Sequence, residues 1–581
     1  MNSHHTKITN VLVIGSGGAG LRAAIEAKNQ NLCVEILGKR NKFDVHTGLA
    51  AGGINASFGN IDTQDSWEHH FSDTFLEGYG IGDPVIIELM TKEAPKLVKE
   101  IDNWGANFSK LKDGKLDQRF FGAHTYRRTC YSGDYTGQSI LKALLNKVDS
   151  LNIPIYDSHY VTDLLIEGKQ CFGAMSIDIL SGERVLYLAD AVILCTGGHT
   201  RIWKRSSSRR NENTGDGLHL ALKAGCDLID MEMVQFHPTG MLIPEEISGT
   251  LVTEAVRGEG GKLFNSKGER FMTRYDSERM ELSTRDRVAI ANYTEISEGR
   301  STPNGGVYLD ISHKDKDFII KKIPKIYRQF IEAQMLDISK EPMEVAPTAH
   351  YSMGGICVEP EEHSSSIKGL YAAGEVAGGL HGANRLGGNS LAEILVFGKR
   401  SGEAAALYSK KLTAQIRSNK AIEAAHENIN NSIKKGTEIS LALQHDLSNI
   451  MWEYCGVVKD EHKLKECLRK INTLEKRSNN IDVRISDFNY DDLINKLDFD
   501  SSLISAKATI LSALERQESR GAHQRSDFPS IDDQEGYNLK VRLKKGTLEV
   551  SKVPLVKMRD YLNKIISTSK IVDNFKGKLI E

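Results

Sequence analysis

The run Gly15-Ser16-Gly17-Gly18-Ala19-Gly20 follows a short β-branched strand pattern and opens a helical one. In that setting G-x-G-x-x-G binds a pyrophosphate: glycine lets the backbone come close, and unpaired amides and the helix dipole attract the anion. Two carboxylates on later glycine turns, Asp216 in NTGDG and Glu375 in YAAGEVAGG, are suited to accept from sugar or ribityl hydroxyls. For Asp216 alone, capping of the following helix is the simpler reading. The acidic residue that a nicotinamide dinucleotide fold places at the end of its second strand is missing, because Gly38 and Lys39 stand there and Glu35 lies earlier. Ribose recognition therefore differs from that of a plain NAD site. His46 lies just downstream, among the small residues of FDVHTGLAAGG (Phe43 to Gly53), where the backbone has to come close to something.

These groups need a scaffold that gathers strand ends. ITNVLVIGSGGAGLRAAIEAKNQ predicts a strand, a glycine turn and a helix on which Leu21, Ala24 and Ala27 share a face; CVEIL predicts the next strand. That βαβ opening points to a doubly wound parallel sheet. DAVILCTGG (Asp190 to Gly198) and IKGLYAAGEVAGG (Ile367 to Gly379) look like further strands running into glycine turns, and about Gly240 to Met353 forms an inserted lobe between them. From about Ser401 the chain becomes charged, helical and poor in glycine, and KKGTLEV predicts a hairpin near the end. The expected fold is α/β: a doubly wound, Rossmann-like domain over 1–240 and 354–400, an inserted α+β capping domain over 241–353, a helical domain over 401–528 and a small C-terminal region over 529–581.

The bulk properties agree. A chain of 581 residues exceeds the roughly 250 to 300 at which one core stops growing. A net charge of -2 gives no electrostatic reason to expect nucleic acid. No apolar run approaches the roughly 20 residues that cross a bilayer, and the N-terminus is polar, so a soluble, intracellular chain is expected. The eight cysteines lie far apart with no C-x-x-C, so neither a zinc knuckle nor an iron–sulfur cluster is expected.

The succession GSGGAG, HTGLAAGG, CTGG, NTGDG, QFHPTG, TEAVRGEGG, ELSTRDRVA, PTAHYSMGG and GLHGANRLGGNSL, with ESRGAHQRSDFP late on, resembles the flavoprotein subunit of succinate dehydrogenase and fumarate reductase. It covers almost the whole chain in order. The resemblance implies FAD as cofactor, contacted by Gly15 to Gly20, Lys39, His46, Thr47, Gly52, Gly53, Asp216, Glu375, Ser390 and Leu391. It places His46 where that family joins the 8-methyl carbon of FAD to a histidine nitrogen. Such an electron-withdrawing tether raises the flavin potential, as oxidation of a saturated C–C bond requires. The plainer alternative makes His46 a hydrogen-bonded neighbour of the flavin. Ala51 departs from the Gln or Glu that close relatives usually carry before the paired glycines, which removes a hydrogen bond near flavin N5.

A C4 dicarboxylate at such a flavin needs two carboxylate clamps, an acid/base above the C–C bond and exclusion of water. The resemblance assigns the clamps to His237, His350, Thr253 and Arg385, the last offering a planar fork for a carboxylate. It assigns proton transfer to Arg285. Arginine holds its proton tightly, so Glu254 and Arg257, three apart, are expected to pass the proton toward solvent. The alternative for Arg285 is a third clamp that also stabilises charge at C2/C3. The implied reaction removes one proton from succinate and transfers hydride to flavin N5, giving fumarate.

L-aspartate oxidase resembles the chain over the same motifs. Its acidic residue for the substrate ammonium would fall at Phe121 in RFFGAHT, where an ammonium would lack its counter-charge, and it lacks the His46 tether. A non-catalytic flavin-binding protein is the other alternative; the full set of converging polar residues disfavours it. The preferred resemblance also implies two kinds of partner, an iron–sulfur subunit and one or more quinone-reducing membrane anchor subunits. It implies a peripheral position on the cytoplasmic face of a bacterial inner membrane.

Overall fold

The computed structural model describes residues 5–486, 489–532 and 536–568. Its first strand, His5–Ile14, lies between the parallel strands Val34–Leu37 and Arg184–Leu194. Ile155–Tyr156 extends the sheet beyond Val34–Leu37, and Leu370–Ala372 pairs in parallel with the end of Arg184–Leu194. The antiparallel strands Gln170–Asp178 and His159–Glu167 complete the other side. Both faces of the parallel part are buried, and the two-residue period sorts its apolar side chains. Val11, Val13, Ala191 and Ile193 join the core that contains helices Gly18–Asn29 and Asn389–Lys411. Leu12, Ile14, Val192 and Leu194 join the core under Asp216–Ala224. This is the doubly wound α/β arrangement expected from the motifs, and it sets the Gly15, Thr196 and Gly374 turns side by side at the strand ends.

Between the two parallel strand ends the chain leaves to build a second body. Strands Val234–Met241, Met343–Ser352, Val307–Asp310 and Lys262–Phe264 pair antiparallel in that order. With helix Arg285–Ser297 they enclose a separate core that includes Val256, Phe271, Val288 and Leu309. Because Val234–Met241 and Met343–Ser352 carry the chain out and back, His237 and His350 end up on neighbouring strands.

The composition change near Ser401 falls within one helix, Asn389–Lys411. Beyond it, Ser440–Tyr454, Glu461–Ser478 and Asp491–Glu515 pack on a fourth core. Leu443, Leu447 and Met451 repeat every four residues and Leu464, Cys467, Ile471 and Leu474 every three or four, one buried stripe on each helix. The expected hairpin is present as Tyr537–Lys544 and Thr547–Pro554. Its turn residues Lys545 and Gly546 both have positive φ, which suits a tight hairpin turn, and its first strand pairs with Leu228–Ile229 of the cofactor domain. No described helix is long and apolar enough to cross a membrane.

The last long helix is fastened to the first domain by ions. Arg516 is fully buried and donates to Glu232 at 2.6 Å, Glu518 at 2.9 Å and Asp230 at 3.2 Å. Removing one member of such a buried set strands the others. The substitution Arg516→Met is therefore expected to lower unfolding free energy by about 3–5 kcal/mol, read as a lower urea midpoint.

Candidate active site

One cavity runs from the Gly15 turn to the seam between the cofactor domain and the second body. All the sequence-predicted site residues line it except Gly20 and Arg257. Gly20 serves the turn itself: a Cβ there would lie 1.9 Å from the Gly15 carbonyl oxygen, and one on Gly15, at φ +118°, would lie 2.1 Å from that of Cys195. Close strand-to-helix packing thus requires both glycines. A Cβ on Gly17 would meet only Thr47 Oγ1, at 3.5 Å, and Gly18 begins the helix, its N–H donating to Thr47 Oγ1 at 3.0 Å.

Both carboxylates expected at a nucleotide line the cavity. The N-cap of Asp216–Ala224 is Gly215, so Asp216 is a cavity residue at the first helical position and not the cap. Lys39 Nζ lies 3.7 Å from Asp216 and 2.5 Å from Asp498. Burial works against the Lys39 charge, but Asp498 and Asp216 more than offset it. Glu375 accepts the Ser352 N–H at 3.0 Å, and burial raises its carboxyl above the usual range. Thr196 Oγ1 and Arg385 Nε, both on the cavity wall, are buried without a hydrogen-bond partner. A glycine cradle at a helix start, acceptors along the wall and unpaired buried polar atoms on lining residues fit a flavin dinucleotide.

At the far end two guanidinium groups converge. Gln235 Oε1 accepts from Arg285 Nη1 at 3.3 Å and from Arg385 Nη2 at 3.0 Å. Arg285 also donates from Nε to Glu254 Oε2 at 2.8 Å, with Nη2 2.7 Å from the same oxygen. Arg385 lies over the Tyr351 ring at 4.4 Å; burial, then Arg285, brings its guanidinium down to about 10. The turn carrying Arg385 is fixed from beneath, where Asn55 Nδ2 donates to the Gly387 carbonyl at 2.7 Å and His124 Nε2 lies 3.0 Å from it.

The rings of His237 and His350 stand edge to face, centroids 5.2 Å apart. Burial, and after it the positive groups nearby, holds both well below ordinary histidine. His237 Nδ1 accepts the Thr239 N–H at 3.2 Å, which puts its hydrogen on Nε2. His350 Nδ1 lies 2.8 Å from Ser207 Oγ. Phe121 forms the wall between Gly52 and Gly387; a Cβ on Gly52 would meet its ring at 2.8 Å.

Arg257 is the predicted residue that stays outside. It follows Glu254 in the short helix Ala255–Gly258, yet it donates to the Glu281 carbonyl at 2.6 Å, and its Nε and Nη2 have no partner. Burial opposes the Glu254 charge, but Arg285 and then Arg257 overcome it and hold the carboxyl at about 2. Sequence reasoning missed Glu212, Gln235, Ser207 and Asp498. Gln235 had a signal, since it lies two residues before His237 in a strand and therefore on the same face. Glu212 and Asp498 had none; their partners His46 and Lys39 are 166 and 459 residues away.

Residues 10–391 match the FAD binding domain family, and residues 444–562 match the family described as fumarate reductase flavoprotein C-term. The chain belongs to the succinate dehydrogenase and fumarate reductase flavoprotein family, and its cofactor is FAD. One relative is the first-lettered chain of the fumarate reductase (CoM/CoB) of Methanothermobacter marburgensis, 45% identical over 90% of this chain and 94% of its own length. The succinate dehydrogenase flavoprotein subunit of Rickettsia bellii is 36% identical over 90% of this chain and 91% of its own. A solved chain of E. coli quinol fumarate reductase superposes with a TM-score of 0.90 at 32% identity, covering 95% of this chain and 99% of the other.

The depressed Glu254 carboxyl has a consequence for stability. With a folded value of about 2 against an ordinary 4.5, its contribution is complete above pH 4.5 and fades as pH falls toward 2. Glu254→Gln is expected to be less stable than the natural chain at pH 7. The gap between their urea midpoints should narrow between pH 4.5 and the acid limit of folding; a gap independent of pH would contradict the assignment.

Proposed function

We propose that the chain interconverts succinate and fumarate as the flavoprotein subunit of a larger electron-transfer complex. The observation that carries this reading is the paired approach of Arg285 and Arg385 to Gln235, opposite two histidines held neutral. Two cations and two neutral donors suit a dianion with a carboxylate at each end. Arg385 and His350 hold one carboxylate; His237 Nε2 and the Thr253 hydroxyl hold the other. Phe121 covers the uncharged middle and offers nothing to an ammonium, which favours a dicarboxylic acid over aspartate. The lobe over 241–353 closes the site against water.

When bound, FAD supplies the two-electron chemistry at the C–C bond, and the tether through His46 belongs to this reading. Arg285 moves the proton, with Glu254 on its Nε and Nη2 to compensate the changing charge. Arg257 acts on Glu254 through its charge, because no hydrogen bond links them. Electrons pass to an iron–sulfur partner, then to quinone in a membrane anchor, with the chain peripheral on the cytoplasmic face of a bacterial inner membrane. A second reading of the electron partner is favoured by the relative that is 45% identical, named as a CoM/CoB enzyme: two thiols in place of quinol. Fumarate reduction by the purified complex, with menaquinol or with the two thiols as donor, separates the two.

The substrate reading is tested on the purified flavoprotein. Malonate or oxaloacetate is expected to shift the flavin absorbance. Arg285→Gln should keep its flavin, retain that shift in weaker form and lose succinate oxidation with an artificial acceptor by roughly a thousandfold or more. Near-normal turnover would remove Arg285 from the mechanism, and an unresponsive spectrum in the natural chain would remove the dicarboxylate.

A further inference from the structure

His46 opens the single turn His46–Leu49 at the cavity wall, with its side chain 29% exposed; the Glu212 carboxylate that meets it is 5% exposed. Glu212 comes from the loop that follows strand Arg184–Leu194 and is held from several directions. Its Oε2 accepts the Arg209 N–H at 3.0 Å, while the Arg209 and Arg40 guanidinium groups each lie 3.5 Å from Oε1. His46 Nδ1 is 3.2 Å from Oε2. An ionised carboxylate can only accept, so Nδ1 carries the hydrogen, and in the neutral ring the lone pair is then on Nε2.

We propose that Glu212 is the positioning residue that makes His46 Nε2 the nitrogen joined to FAD, and that its carboxylate stabilises the imidazolium which this bond creates. The inference rests on the covalent-flavin reading above and deepens it. Nε2 uses its lone pair to bond to the 8-methyl carbon. One C–H bond of that methyl group breaks, the hydrogen leaves as a proton, and the bonding pair passes into the ring system, which is thereby reduced by two electrons. Because Nδ1 keeps its hydrogen, the substituted imidazole carries a positive charge directly opposite Glu212. The two ring electrons leave to fumarate, which takes up two protons and becomes succinate. Without Glu212 that cation would form beside Arg209 and Arg40.

The charges around His46 support this role. Burial disfavours the cation, yet Glu212, followed by Glu375, outweighs both burial and Arg209 and lifts the free ring above ordinary histidine. Burial likewise opposes the Glu212 charge, but His46 and the Arg209 N–H hold the carboxyl at about 2.

The test uses the full chain, produced under riboflavin limitation and then given FAD and fumarate. Attachment is followed by intact mass and by flavin fluorescence of the denatured band, and total bound flavin by absorbance of the native protein. Glu212→Leu is expected to bind FAD but attach it roughly ten- to hundredfold more slowly, the span expected for losing a charged hydrogen bond. Glu212→Asp should recover part of the rate, and formate should accelerate attachment in Glu212→Ala. Attachment at the natural rate in Glu212→Leu, or no response to formate, would overturn the role of Glu212 and leave the tether standing. A natural chain that binds FAD and never gains its mass would overturn the tether and this inference together.

Discussion

Two guanidinium groups brought to the same amide oxygen repel each other, and the site is organised around that repulsion. Gln235 can accept from both, but it is neutral and cancels neither charge. Glu254 bonds to Arg285 and not to Arg385. Arg385 rests on the face of Tyr351, whose hydroxyl donates to the buried Glu393, so its compensation is indirect. In the substrate reading proposed above, a small dianion set between the two cations relieves that repulsion. Neutral histidines suit that setting, since two further cations would raise the cost of assembling the empty site and add nothing to the geometry of donation.

Holding like charges together demands a stiff surround. The chain provides it by placing each group on a regular element or on a turn tied to one. Gln235 and His237 share a strand with a bulge beside it, Arg285 is the first residue of a helix, and Arg385 precedes a helix whose opening turn is bonded to Asn55 and His124. Gly388, at φ +87°, sits where a Cβ would strike the Asn55 amide oxygen at 2.2 Å. Side chains carried by elements of two separate cores thus meet at one cavity.

The sequence made the local parts of this legible. The short apolar, β-branched run in ITNVLVIG foretold a strand, and the glycine turns foretold where backbone would approach a cofactor. Family resemblance then joined distant motifs into one site, and nearly all of those residues do line one cavity. Spacing brought Arg257 near Glu254, whose charge it stabilises, but its one side-chain hydrogen bond goes to the Glu281 carbonyl, which the spacing does not foretell. What stayed invisible was pairing across long stretches of chain. Nothing in the loop around Glu212 marks it as the partner of His46, and Asp498 reads as one more acid on a helix.

That last contact has a bearing on how the protein is made. Lys39, beside the cofactor turn, finds its carboxylate partner 459 residues later. At about 5–20 residues per second the two leave the ribosome roughly 20 to 90 seconds apart. The nucleotide cradle is therefore among the first segments synthesised, while the bond between Lys39 and Asp498 is among the last that can form.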